Sequence, residues 1–271
     1  MSGPNNSNDL NPTGHSSTDR RPDIHRQWFD PSANTGRVPL VLLHEGLGSI
    51  SAWGSFPQAL AEASGRRVLA YDRAGYGRSR PKPGPWPAEF MHHEAVELAS
   101  VMASEGVERA VLVGHSDGAT ISLLYPSQVG GSGAEVVGIV SLSAHVLVED
   151  LNVAAITDLR NTYHQGLAEA LARHHDDADT AFDLWSDVWV SDRFRPWTID
   201  AELASVTCPV LAAQGQADGY GTMLQLERLA AAVAGPVETA RLADVDHWPH
   251  KEARAKVLAL VTGFADRVAG D

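Results

Sequence analysis

The chain lacks most of what extracellular, metal-bound or membrane-embedded structure requires. A single cysteine, Cys208, stands among 271 residues. One thiol cannot form an internal disulfide, and no Cys–His spacing matches a zinc site. No apolar run approaches the roughly 18–20 residues that span a bilayer, and the opening MSGPNNSNDL has no apolar stretch of the secretory-signal kind. Basic residues are also scarce, 21 Lys+Arg against 34 Asp+Glu, for a net charge of −13. A field of that sign repels phosphate backbones and anionic lipid, so neither nucleic acid nor a membrane is expected as a partner. These absences predict a soluble, cytoplasmic protein, and they leave its oligomeric state open.

What is present is an ordinary globular composition, 44% hydrophobic and 20% charged, long enough for one sizeable core. Residues 1–21, rich in Asn, Ser, Pro and Gly, cannot bury enough surface to offset their ordering entropy and are expected to form a disordered tail. Beyond them, short apolar runs alternate with helical patterns. The runs are Val38–His44, Arg67–Asp72, Arg109–His115, Glu135–His145, Pro209–Gly215 and Val237–Ala243. Runs apolar at nearly every residue suit strands covered on both faces, as in a parallel sheet. Helical patterns lie at Phe56–Ala63, Met91–Ser104 and Met223–Ala234, and Ala253, Val257, Leu260, Val261, Phe264 and Val268 form one stripe of a last helix. The alternation predicts an α/β fold with a doubly wound, mostly parallel sheet built from residues 22–146 and 201–271. Residues 147–200 show helical patterns only. They are expected to form a cap over the carboxyl ends of the strands, where open α/β sheets bind ligands.

Chemistry concentrates at Gly114-His115-Ser116-Asp117-Gly118, between the strand RAVLVG and the helical ATISLLY. Here G-x-S-x-G sits in the strand–turn–helix setting that strains a serine into exposure. Glycines two residues to either side leave room for that turn, and the following helix N-terminus favours negative charge near the Oγ. A serine nucleophile needs an imidazole base, and the base needs an acid to orient it. Asp218 follows the strand PVLAAQG and His247 follows VETARLA, each just past a strand's carboxyl end. The order Ser, acid, His is the one this architecture uses. Oxyanion donors are expected from the backbone of Asp117 and of Gly46 or Leu47, in the loop His44-Glu45-Gly46-Leu47-Gly48.

These segments, together with YDRAGYGRSRP (Tyr71–Pro81), QGQADGYGT (Gln214–Thr222) and DHWPHKE (Asp246–Glu252), resemble the α/β-hydrolase superfamily from about Ile24 to the C-terminus. Within it, the Ser-Asp-Gly elbow with GYGRSRP is most similar to the serine-nucleophile branch of biphenyl-hydrolase-like and valacyclovir-hydrolase-type esterases. The resemblance implies a cap inserted after the sixth strand and a cofactor-independent, metal-free hydrolase of carboxylic esters. It also implies Ser116 as nucleophile, Asp218 as acid and His247 as base. Three positions depart from the family pattern: Glu45 and Asp246 where Gly is usual, and Ala119 in place of a second Gly after the elbow. Glu45 is expected to point away from the developing oxyanion or to pair with a cation.

Several rivals bear on these assignments. His250 competes with His247, and Glu149 or Asp150 with Asp218. The Asp117 side chain either caps its helix or pairs with a substrate ammonium, which would favour aminoacyl esters. Lactone, carbon–carbon or perhydrolytic chemistry uses the same triad, and a receptor with vestigial turnover is the reading of another class. Gly46-Leu47-Gly48 with Asp72 imitates a dinucleotide fingerprint, but Ser51 stands where the third glycine belongs. His174-His175-Asp176-Asp177 and His92-His93 read as solvated helix ends, since adjacent helical residues point apart. Phe182, Trp185 and Trp189 share one helix face. That stripe suits core packing, and Trp185 and Trp189, with Trp53, Tyr163 and Asp117, are expected to line the substrate pocket.

Overall fold

A computed structural model describes residues 24–33 and 36–271; the expected tail at 1–21 lies outside them. Seven strands form one sheet: β1 (Arg26–Phe29), β2 (Leu40–Leu43), β3 (Val68–Tyr71), β4 (Arg109–His115), β5 (Glu135–Leu142), β6 (Val210–Gly215) and β7 (Val237–Leu242). Their spatial order is β1-β3-β2-β4-β5-β6-β7. All neighbours are parallel except β1, which runs antiparallel along β3 from Arg26↔Tyr71 to Phe29↔Val68. The apolar runs are continuous because both faces are covered. Val41, Leu43, Leu69, Leu112 and Ala212 lie on the side of the sheet covered by α2 (Phe90–Ser104), α3 (Asp117–Val129) and α8 (Met223–Ala232), whereas Leu40, Leu42, Val68, Val111 and Val113 lie on the side covered by α1 (Phe56–Ser64) and α10 (Arg254–Ala269). β5 stops at Leu142, three residues short of the expected end, because Ser143 turns to φ 51°.

Residues between β5 and β6 form α4 (Asp150–Thr162), a π-turn at Tyr163–Leu167, α5 (Ala168–Leu171), α6 (Ala178–Trp189) and α7 (Asp200–Leu203). The segment leaves the sheet after the fifth strand of this chain, not the sixth: among the described residues only β1 precedes the first parallel strand. Its entry and exit are stapled by an isolated Leu147↔Thr198 bridge and by Ile199 N–H donating to Val146 O at 2.9 Å. Ile156, Trp185, Val188, Trp189, Phe194 and Ile199 join the core on the α2–α3 side. A short α9 (Pro249–Glu252) precedes α10. Among the described residues no helix is long and apolar enough to cross a membrane.

Candidate active site

The turn at Ser116 is built by exclusion. Ser116 has φ 51° and ψ −120°, a strained geometry for a residue with a Cβ. A Cβ on Gly114 would lie 2.3 Å from Gly118 O, and one on Gly118 would lie 2.2 Å from Leu43 O. Glycine at both positions therefore lets β4, the turn and α3 pack against β2. Ser116 N–H donates to Leu142 O at 2.9 Å, and its carbonyl accepts from Ala119 and Thr120.

Three strand ends bring Ser116, Asp218 and His247 together, each nearly buried at 5%, 8% and 4% exposure. His247 Nε2 lies 2.9 Å from Ser116 Oγ, and Nδ1 lies 2.9 Å from both Asp218 oxygens. Asp218 also accepts from the N–H groups of Tyr220 (2.8 Å) and Gly221 (3.1 Å) and from Gln214 Nε2 (2.7 Å). Burial alone would raise its carboxyl; the hydrogen bond and charge of His247 and the Tyr220 N–H outweigh that and hold it below the ordinary value. His115 Nε2 donates to His247 O at 2.7 Å, tying the elbow to the loop after β7. Asp246 contributes as well: its Oδ1 accepts from Gly219 N–H at 2.8 Å, bracing the Asp218 loop. His250 lies elsewhere, its ring 4.5 Å from Trp53 and 5.7 Å from Phe56. Asp150 is exposed and pairs with Arg195, while Glu149 binds Thr222 and Gln225.

The loop after β2 faces Ser116. Among the described residues no protein acceptor takes the N–H of Gly46 or Leu47, and Asp117, the first residue of α3, lies ahead of that helix's hydrogen-bond ladder. Arg73 braces this loop from within the core. Its Nη1 is 2.5 Å from Glu94 Oε2, its Nη2 donates to Glu45 O at 2.9 Å, and the same Nη2 is 3.9 Å from Asp117 Oδ2. Asp117 is 1% exposed, and burial pushes its carboxyl up to about 6 despite Arg73. Glu45 turns its carboxylate to His115, Oε2 to Nδ1 3.4 Å, while still lining the cavity. Burial works against the ionised Glu45, but His115 outweighs it and keeps the carboxyl well below its usual range. Asp72 is occupied structurally: its oxygens accept from Ile50 and Arg78 N–H and face His25, which leaves the dinucleotide reading no free carboxylate.

A cavity of about 300 Å³ opens above Ser116. Its walls include Leu47, Ile156, Leu159, Leu171, Trp185 and Trp189, with Asp117 and His247 at the base. Two expected wall residues are absent from it. Trp53 is buried between Phe56 and His250, under α1 and α10. Tyr163 stacks on Phe182 at 4.1 Å and donates to Asp179, inside a satellite core of the helical segment. Both rings went to the nearest aromatic partner, which a sequence pattern does not reveal. His175, read as part of a solvated helix end, is instead 8% exposed and bridges Gly77 N–H and Leu47 O. His145 was also missed. It lines the cavity, its Nε2 donates to Tyr220 O at 3.1 Å, and burial followed by His247 lowers it to about 4. The sequence signal for it was a histidine closing an otherwise apolar strand run.

The model of the alpha/beta hydrolase family matches residues 40–260. The chain belongs to the alpha/beta hydrolase family. Among curated relatives, this alpha/beta hydrolase is 36% identical over 92 residues to a proline iminopeptidase of Lactobacillus delbrueckii subsp. lactis, 34% of this chain and 31% of that one. The matched stretch thus spans about a third of that relative's length. Solved structures cover far more of the alpha/beta hydrolase at lower identity. A proline iminopeptidase of Mycobacterium smegmatis aligns at TM-score 0.69 and 22% identity over 92% of this chain and 96% of its own. An enol-lactonase of Burkholderia xenovorans LB400 aligns at TM-score 0.71 and 20% identity over 90% and 96%. At those identities the likeness shows the fold.

Proposed function

We propose that this alpha/beta hydrolase is a cofactor-independent serine hydrolase that cleaves carboxylic esters of small molecules through an acyl-enzyme. The observation that carries the reading is the continuous chain Ser116 Oγ–His247–Asp218, with 2.9 Å at each link, at the floor of an apolar cavity. Ser116 Oγ bonds to the ester carbonyl carbon as its proton passes to His247 Nε2. Asp218 stabilises the resulting imidazolium, and the N–H groups of Asp117 and of Gly46 or Leu47 hold the oxyanion. The carbon–oxygen bond to the alcohol then breaks, and the alcohol leaves with the proton from His247. Water, deprotonated by the same base, releases the acid. Residues 147–200 act as a cap that walls the cavity and excludes water.

Lactones and carbon–carbon bonds alpha to a carbonyl are substrates of the same machinery, and peroxide in place of water gives perhydrolysis; substrate screening separates them. An aminoacyl preference would need Asp117 to meet an ammonium. Its Oδ2 already accepts from Trp185 Nε1 at 3.0 Å and faces Arg73, so the ester reading is made without that preference. Fluorophosphonate labelling of wild type and Ser116→Ala, read by intact mass and peptide mapping, tests the assignment. A single adduct on Ser116, absent from the variant, is expected; a folded wild type without adduct would refute it and favour a ligand receptor.

A further inference from the structure

The two candidate oxyanion donors come from separate stretches of chain, 46–47 after β2 and 117 at the elbow, and a side chain of the helical insertion touches both. Trp185, on α6, lies close against Gly46: a Cβ there would meet Trp185 Nε1 at 2.3 Å and Cε2 at 2.6 Å. The same Nε1 donates to Asp117 Oδ2 at 3.0 Å. Two further ties run from the insertion to this loop. His175 Nε2 donates to Leu47 O at 3.0 Å, its Nδ1 accepting from Gly77 N–H, and His174 Nδ1 lies 2.9 Å from Ser51 Oγ. On the core side, Arg73 holds Glu45 O while facing the same Asp117 oxygen. The loop is thus clamped between Arg73 below and Trp185 above.

We propose that Trp185 is a positioning residue for the oxyanion hole, so that docking of the helical insertion completes the site as well as covering it. This rests on the hydrolase reading above. An oxyanion donor works only when its N–H is aimed at the place the oxygen will occupy in the transition state. Asp117 N–H points from the first residue of α3, and Gly46 or Leu47 N–H from the tip of a single turn, closed by Gly48 N–H donating to Glu45 O at 3.0 Å but outside any strand or helix that would fix it relative to Ser116. The Trp185 indole sets the spacing between them by one hydrogen bond and one steric contact. Without it the loop can shift by a fraction of an ångström towards the vacated space. Where the indole's shape is kept, ground-state substrate is held as before by the apolar walls, Leu47, Ile156, Leu159, Leu171 and Trp189 among them, and is affected little.

The experiment replaces Trp185 by Phe, which removes the Nε1–H, and separately by β-(3-benzothienyl)alanine, which keeps the bicyclic shape and lacks only that donor. Fluorophosphonate labelling of wild-type Ser116 comes first; its failure on folded protein sinks the hydrolase reading and this inference with it. With labelling established, kcat and KM are measured on 4-nitrophenyl butyrate, and affinity on an alkyl boronic acid whose tetrahedral adduct places an oxygen in the hole. Both variants should lose kcat by 10-fold or more, with KM within threefold for the benzothienyl variant, which keeps the wall, and boronate affinity should fall in parallel. Unchanged kcat, or a raised KM with unchanged kcat, would make Trp185 a cavity wall only and overturn the inference. If the Phe variant does not fold, the benzothienyl variant alone decides.

Discussion

Asp117 is ionised in a place that disfavours ionisation, and this makes its substitution a quantitative test of the buried network. The carboxyl is 1% exposed and is pushed from an ordinary value of 3.8 to about 6 by burial, with Arg73 acting against the shift and Glu94 adding to it. At about 1.36 kcal/mol per pH unit, the charged form destabilises the fold by about 3 kcal/mol relative to the neutral one. The sign follows from proton binding. Between about pH 3.8 and 6 the native state holds a proton at Asp117 that the unfolded chain has released, so this group's contribution to stability falls as pH rises through that window. Above pH 6 the penalty is constant, and below 3.8 it is absent. Asp117→Asn imitates the neutral carboxyl and leaves Arg73 its other partner, Glu94, at 2.5 Å. Urea melts of both proteins from pH 4.5 to 8 should show the variant more stable by about 3 kcal/mol at pH 8, shrinking to about 1 kcal/mol at pH 4.5, with unchanged m. A variant less stable at pH 8, or a difference independent of pH, would refute a desolvated Asp117 carboxylate.

Three further outcomes are expected. Asp117→Asn should change kcat/KM on aminoacyl and plain acyl esters by the same factor; a selective loss of about 10-fold on aminoacyl esters, on the order of 1.4 kcal/mol, would restore the ammonium-pairing role. His247→Ala should lower kcat by about 10⁴-fold or more with little effect on folding, whereas His250→Ala, which empties a packed site against Trp53, should destabilise by about 2–4 kcal/mol; chemical denaturation and esterase assays on both variants would expose the reverse pattern. Arg66 is fully buried and binds Asp271, Asp266 and the carbonyls of Val38 and Ala265, so Arg66→Ala should cost about 3 kcal/mol, and a loss under 1 kcal/mol in urea melts would show that the cluster contributes nothing net.

What could be read from the sequence divides along a physical line. Strands β2 to β6 were legible because burial on both faces writes itself as uninterrupted apolar residues. That Ser116, Asp218 and His247 would meet was legible because topology delivers the ends of parallel strands to one edge, so order along the chain stands in for position. β1 was not legible: four residues at a sheet edge, half exposed, with Arg26 paired to Glu105, carry no such pattern. Trp53 and Tyr163 misled for a related reason. Periodicity tells which face of an element is apolar, but not which neighbour it meets, and both rings found partners away from the cavity.

The same line explains why the surroundings of the candidate oxyanion hole were illegible. Trp185 could be placed on an apolar helix face, yet its bond to Asp117 spans 68 residues and depends on how α6 docks. His175 looked like a surface residue because nothing in HHDD announces that Gly77 and Leu47 will bracket it. Such contacts arise where the insertion meets the core. A carboxylate that destabilises the fold at neutral pH is a poor choice for stability alone, and Asn would serve there better. Its physical value is as a strong acceptor for a buried indole N–H, since hydrogen bonds to charged groups exceed neutral ones. The penalty at Asp117 and the tie to Trp185 are therefore two measurements of one design: if the Asn variant is more stable at pH 8 while the Trp185 variants lose kcat, the insertion is held to the elbow at the expense of the fold.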